Sequence, residues 1–270
     1  MISEVYRKGR DAKEASYVLQ TAGTDVKNKA LAYIADALMA HSDAILSANA
    51  EDLKRAKEKG MAPAMVDRLT LTKERISAMA EGVRQVIDLR DPSGIVLDEF
   101  TRPNGLAIKK VSVPLGVIAI IFESRPNVTV DAAALCIKAG NACVLRGGSE
   151  AIASNTALTS VIRQGLKAAG LPENSVNIIE NTDRALVKEL LTLRGFIDLA
   201  IPRGGAGLIR MVVDTATVPC IETGSGVCHV YVDKDADLSM AVKIVENAKV
   251  SRPSTCNAME TLLVHRDVAK

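Results

Sequence analysis

A cysteine set among helix-breaking and helix-capping residues is the first candidate for chemistry: Ser251-Arg252-Pro253-Ser254-Thr255-Cys256-Asn257-Ala258-Met259-Glu260. Proline fixes φ and disfavours helix at the residue before it, so Arg252-Pro253 interrupts regular structure. Ser254 and Thr255 are good N-caps, which puts Cys256 on a tight loop or in the first turn of a helix. At such a place free backbone N–H groups and the positive end of the helix dipole favour thiolate over thiol. The same N–H groups suit an oxyanion formed when the sulfur attacks a carbonyl. The competing reading is a buried cysteine acting as a small apolar residue, the commoner fate of a single Cys.

Four polar segments follow short apolar runs. They are Glu123-Ser124-Arg125-Pro126-Asn127, Arg146-Gly147-Gly148-Ser149-Glu150, Pro202-Arg203-Gly204-Gly205-Ala206-Gly207 and Glu222-Thr223-Gly224-Ser225-Gly226. In an open α/β sheet a ligand sits beyond the carboxyl ends of the strands, where such segments would lie. Each alone is explained by a turn that needs glycine at φ > 0. Four in register, two with Arg beside paired glycines, favour a site for phosphates and carboxylates. The G-x-G-x-x-G turn is absent, as is the P-loop pattern G-x-x-x-x-G-K-[ST], so kinase and ATPase readings fall away.

The elements that must position these residues read as an α/β architecture. The first ninety or so residues are helical in pattern. Thr24-Asp25 starts a segment with Val26, Ala30, Ile34 and Leu38 on one stripe; Ser42-Asp43 starts a second that ends at Gly60; a third spans residues 70–89. Arg102-Pro103-Asn104-Gly105 joins strand-like runs 95–100 and 106–113, a hairpin signal. Its two readings are a surface hairpin and an arm toward a neighbouring subunit. From residue 116 strands (116–122, 142–145, 176–179, 196–201, 218–221) alternate with helices (128–139, 152–169, 184–193, 207–213), which implies right-handed crossovers and a mainly parallel sheet.

Composition narrows the partners. The chain of 270 residues is 48% hydrophobic and 24% charged, carries a formal charge of +2, and has no Trp, three Phe and four Tyr. No basic footprint or aromatic platform for nucleic acid is present. No apolar run approaches membrane-spanning length, and the N-terminus lacks a signal-peptide core. Cys136, Cys143, Cys220, Cys228 and Cys256 form no C-x-x-C pair, and none of His41, His229 and His265 stands at ligand spacing from a Cys, so no metal site is expected. An odd count of cysteines fits a reducing, cytoplasmic setting.

The segments running from Val113-Pro114-Leu115-Gly116-Val117 through Glu123-Ser124-Arg125-Pro126-Asn127, and from Ala139-Gly140-Asn141-Ala142 through Arg146-Gly147-Gly148-Ser149-Glu150, closely resemble the gamma-glutamyl phosphate reductase family of the aldehyde dehydrogenase superfamily. Ile201-Pro202-Arg203-Gly204-Gly205, Ile221-Glu222-Thr223-Gly224 and Arg252-Pro253-Ser254-Thr255-Cys256-Asn257 match it too, so the likeness covers nearly the whole chain. The resemblance implies an aldehyde-dehydrogenase-like fold: N-terminal helices plus an atypical Rossmann parallel sheet over residues 1–227, with a projecting hairpin at 95–113. Residues 228–270 would be the start of a second, α/β catalytic domain, cut short because the family continues well beyond its cysteine.

What the resemblance implies for function is an NADP(H)-dependent step of proline biosynthesis, reducing L-glutamyl 5-phosphate to glutamate 5-semialdehyde with release of phosphate, through a thioester on Cys256. Arg146, Gly147, Gly148, Ser149 and Glu150 fall at the superfamily's Lys-Pro-Ser-Glu cofactor loop, with Arg for Lys and Gly-Gly for Pro; Gly204 and Gly205 fall near the pyrophosphate. Asn127 matches the oxyanion asparagine, with Arg125 as the alternative. Glu222 matches a general base that an acyl-phosphate reductase does not need for water. Ser124, Arg125 and Arg252 are the substrate-binding candidates, guanidinium being a matched fork for phosphate or carboxylate. Homo-oligomerisation and functional coupling to glutamate 5-kinase complete what the likeness implies. The rivals are a Cys–His hydrolase pairing Cys256 with His229 or His265, and an inactive nucleotide-binding fragment.

Overall fold

The N-terminal third is held together by helix stripes. A computed structural model describes residues 2–222, 224, 226–253 and 255–269. Helix α1 (Glu4–Thr21) starts at Ser3, whose hydroxyl accepts from Tyr6 N at 3.0 Å. Its buried face joins Val5 and Leu19 to small residues such as Gly9, Ala12, Ala15 and Ser16. Helix α2 (Thr24–Ala40) buries Ala30, Leu31, Ile34, Ala35 and Leu38. Val26, expected on that stripe, is 40% exposed, and Lys27 takes the inward position, its ammonium 2.7 Å from Asp91. Helix α3 (Ser42–Glu58) follows, with Gly60 beyond its end at φ 66°. Helix α4 (Pro63–Leu69) opens on a proline, and α5 (Lys73–Asp88) is capped by Thr72.

Strands β1 (Val96–Thr101) and β2 (Ala107–Val111) form the expected antiparallel hairpin, exposed along nearly its whole length. The apolar run 116–122 becomes β3 (Val117–Phe122), buried at every position. It continues through α6 (Asn127–Lys138), β4 (Ala142–Arg146), α7 (Ile152–Ala168), β5 (Val176–Ile178), α8 (Ala185–Thr192), β6 (Leu199–Arg203) and α9 (Ala206–Thr215). The four strands lie parallel in the order β5-β4-β3-β6. Continuous apolar strands are what a sheet covered on both faces requires. Helix α7 packs on α2 at Gly165, where an added Cβ would strike the backbone of Ile34.

Two strand expectations are corrected. Residues 196–198 turn before β6, so that strand begins and ends later than its apolar pattern. The run 218–221 forms only a bridge, Ala200 with Cys220, because Pro219 has no N–H to extend a ladder.

The chain divides into two compact units, Met1–Glu222 and Thr223–Lys270. In the second, β7 (Cys228–Val232) and β8 (Met259–Val264) pair in parallel, joined through α10 (Leu238–Val250). Asp237 caps α10 by accepting from Ser239 N and Met240 N. No described residue of α10 is buried.

Candidate functional site

Strand order decides where the first unit opens. From β3 the chain steps to β4 and β5, then returns to lay β6 on the other side of β3. At that reversal the connections leave in opposite directions, and a crevice is left beyond the strands' carboxyl ends. A cleft of about 720 Å³ occupies this place, a size that suits a small-molecule ligand. Phe122, Glu123 and Ser124 line it from β3, Arg146, Gly148, Ser149 and Glu150 from β4, and Gly207, Leu208 and Met211 from α9.

The loops of the cleft are tied to one another. Ser124 adopts a positive φ of 39°, unusual for a residue with a side chain. Its N and Oγ both donate to Glu150 Oε1, at 2.8 and 2.5 Å, which fixes the β3 loop on the β4 loop. On the other side Gly205 N donates to Glu123 Oε2 at 3.1 Å. Gly205 is also the N-cap residue of α9 and brings no side-chain cap, so the Glu123 carboxylate is the anionic group at that helix end.

Arg146 is the buried charge of the site, 8% exposed. Its Nη2 donates to Thr182 O at 2.9 Å and its Nη1 to Gly147 O, while Nε has no protein partner. Burial lowers its pKa and the charge of Glu150 works against that; guanidinium remains a cation throughout. Gly147 lies against Phe122 and Asn155, and a Cβ there would overlap the Asn155 amide. The cleft therefore combines lining glycines Gly148 and Gly207, a buried cation whose Nε has no protein partner, and a helix N-terminus. That donor set fits an anionic dinucleotide.

Among the remaining expected site residues, Arg125 is exposed on the β3 loop. Asn127 opens α6, and its Nδ2 donates to Asp131 Oδ2 at 3.0 Å. Burial raises the Asp131 pKa and this hydrogen bond offsets part of the rise. Gly204 ends β6 beside the Glu123 carboxylate. Glu222 is exposed at the close of the first unit.

Cys256 and Arg252 belong to the second unit and both are exposed. Of the two expected placements, a tight loop or the first turn of a helix, the described residues show the loop. Thr255 donates through N (3.2 Å) and Oγ1 (2.9 Å) to Arg252 O, making a turn that runs into β8. The described residues after Thr255 lead into β8 and form no helix for it to cap. Among the described residues no helix dipole acts on the sulfur, and Cys256 is exposed rather than buried. Ser254, the other expected cap, lies outside the described residues. Cys228 Sγ donates to Cys256 O at 3.4 Å. His229 Nδ1 is taken up by Val227 O at 2.8 Å, and His265 Nδ1 by Asp267 N at 3.3 Å, so neither ring is engaged with the sulfur among the described residues.

Known proteins place this arrangement. The aldehyde dehydrogenase family model matches residues 3–270. The chain belongs to the aldehyde dehydrogenase family. It is 58% identical over 266 residues to a gamma-glutamyl phosphate reductase of Moorella thermoacetica, covering 98% of this chain and 64% of that protein. A Heliobacterium modesticaldum protein of the same name is 54% identical over 268 residues, again with 64% of its length covered. The chain thus spans a little under two thirds of the curated relatives it matches. The crystal structure of the Thermotoga maritima gamma-glutamyl phosphate reductase superposes with a TM-score of 0.92 at 50% identity, over 98% of this chain and 64% of that one. The Saccharomyces cerevisiae enzyme gives 0.76 at 36%, over 100% and 68%. An acetylating aldehyde dehydrogenase of Geobacillus thermoglucosidasius, 20% identical with a TM-score of 0.71, shares the fold.

Sequence reasoning missed part of the cleft. Thr182 and Arg184, in the loop after β5, line it, and Met61 and Met65 line it from in front of and within α4. The β5 loop meets the same strand-end criterion as the others but contributes a backbone carbonyl, Thr182 O, which no residue type flags. The α4 methionines read as ordinary apolar side chains. Among the described residues, no group of three or more His, Cys, Asp or Glu is arranged to hold a metal ion, and no helix is long and apolar enough to cross a membrane.

Proposed function

We propose that this protein takes part in the reduction of L-glutamyl 5-phosphate to glutamate 5-semialdehyde, with release of phosphate, in proline biosynthesis. The observation that carries the reading is the cleft at the strand-order reversal, with Arg146 buried beside Gly147 and Gly148 and its Nε without a protein partner. The name borne by its close relatives supplies the substrate.

Arg146, Gly147, Gly148, Ser149, Glu150, Gly204 and Gly205 are assigned to hold the cofactor. The cations Arg146 and Arg184 support NADP(H), with its additional phosphate, over NAD(H). When bound, the nicotinamide supplies a hydride. The thiolate of Cys256 attacks the acyl carbon; a C–S bond forms and phosphate leaves with the bonding pair. The Cys256 N–H and the Asn127 amide, once freed from Asp131, are assigned to the oxyanion. Ser124, Arg125 and Arg252 are assigned to the substrate's phosphate and carboxylate, and Glu222 to proton transfer. We extend the reading to a cytoplasmic homo-oligomer that joins copies through the exposed hairpin and draws its acyl phosphate from glutamate 5-kinase.

An absorbance assay run in reverse tests this, with glutamate semialdehyde, phosphate and NADP⁺ or NAD⁺. Phosphate-dependent cofactor reduction, faster with NADP⁺, is expected. Turnover that ignores phosphate, or none with either cofactor, would overturn the reading.

A further inference from the structure

One feature of the cleft begins outside it, in α1. Glu4, in the first turn of that helix, reaches the loop after β5: its Oε1 accepts from Glu180 N at 2.8 Å and its Oε2 from Asn181 N at 3.1 Å. Lys8, one turn on and only 8% exposed, pairs with Glu4 at 2.7 Å and with Glu180 at 2.8 Å, and donates to Ile178 O at the end of β5. The next residue along, Thr182, presents the carbonyl that holds Arg146 Nη2 at 2.9 Å. Arg184, two further on, lines the cleft.

We infer that Glu4 is a positioning residue for the dinucleotide cleft: by clamping the backbone of Glu180 and Asn181 it holds Thr182 O where it orients the Arg146 guanidinium toward the ligand. This rests on the cofactor reading given above. Glu4 touches no ligand. It acts through two backbone donors and one carbonyl, with Lys8 keeping its carboxylate ionised. Burial alone would raise the Glu4 pKa, but the Lys8 hydrogen bond and the two N–H groups outweigh it and leave the pKa lowered. A guanidinium with a fixed plane holds its remaining N–H groups in one orientation; one whose Nη2 partner wanders does not.

The test uses the whole chain, with NADPH as probe and its fluorescence as readout. Glu4→Gln keeps the shape, removes the charge and sets an amide against one backbone N–H. Lys13→Ala is the control: it lies in the same helix but pairs with Asp198, which also accepts from Val117 N at the start of β3, the opposite end of the strands. Glu4→Gln should weaken NADPH on the order of tenfold, within the span measured for residues that act at one remove. Lys13→Ala should lower the unfolding temperature while leaving NADPH affinity as it was. Equal NADPH affinity in Glu4→Gln and the wild type would overturn the inference, as would equal weakening in both variants. Wild-type protein that binds neither NADPH nor NADH would overturn the cofactor reading itself. Amide exchange on the unaltered chain serves if Glu4→Gln does not fold: saturating NADPH should slow exchange at Glu180 and Asn181, and unchanged rates there would sink the idea.

Discussion

The two compact units hold their polar residues in different ways. In the first, the cleft loops are cross-tied by side chains: Glu150 to Ser124, Glu123 to Gly205, Arg146 to Thr182. Behind them Asp52, fully buried, accepts from Ser154 N and Oγ at 2.7 and 2.6 Å and joins α3 to α7. In the second, the cysteine turn is exposed and rests on short-range bonds, Thr255 to Arg252 and Ala258 to Thr255, with Cys228 Sγ on Cys256 O as its link to β7. A site that must hold a large anionic ligand gains from fixed donors, since ordering them at binding costs affinity. A nucleophile needs access first. The contrast is one of preorganisation against exposure.

The sharpest way to break the contrast is Cys256→Ser. Reductase turnover should fall on the order of 10³-fold or more, because Cys256 is the proposed nucleophile. The unfolding midpoint should stay where it is, because the side chain is exposed. Unchanged turnover in the reverse assay would remove the second unit's role. Gly147→Ala comes next: the new methyl meets Asn155 and Phe122, so denaturant unfolding of the first unit should lose about 2–3 kcal/mol and NADPH binding should weaken. Glu150→Gln should cost about 1–2 kcal/mol, with faster amide exchange at Ser124, since one oxygen there receives two donors.

Acid separates the units more gently. Glu4 and Asp91 both have folded pKa values below their ordinary ones. For Asp91, burial pushes upward, but Lys27, Thr24 and the Ser93 N–H prevail. A depressed carboxyl contributes stability above its unfolded pKa, near 4, and that stability is lost as pH falls through the folded value. Asp131, whose pKa is raised, acts in the opposite sense. A titration followed by circular dichroism should show the first unit weakening below about pH 4, and Lys27→Met should lower stability at neutral pH while shrinking the part of that acid loss that Asp91 carries. The smallest effect belongs to Thr255→Ala, below about 0.5 kcal/mol, as expected of an exposed turn. A larger loss would mean the turn is more firmly held than its hydrogen bonds indicate.

Most of the parallel sheet was legible because its strands are uninterrupted apolar runs closed by polar, glycine-bearing loops, and Phe122, Arg146 and Gly148 were located by that pattern alone. What escaped has physical causes. Helix α1 falls within the stretch read as helical, but the cleft contacts it makes through Glu4 and Lys8 look from sequence like an ordinary charged face. The β5 loop works through backbone groups, Thr182 O and the Glu180 and Asn181 N–H, which no side-chain motif encodes. Ser254 and Thr255 suggested a helix cap by residue type, but residues 259–264 favour extended chain, and the strand prevailed.

The return of β6 to the side of β3 also sets an order of assembly. Phe122 and Arg203 are neighbours in the sheet, yet β4, β5 and their crossover helices must be made before they can meet. Joining distant segments carries the largest loop-closure cost, so the crevice should be among the last parts of the molecule to mature. Dinucleotide capture during refolding would then report the finished sheet rather than any earlier collapsed form. Pulse-labelled exchange would detect that as protection of β6 appearing together with NADPH binding.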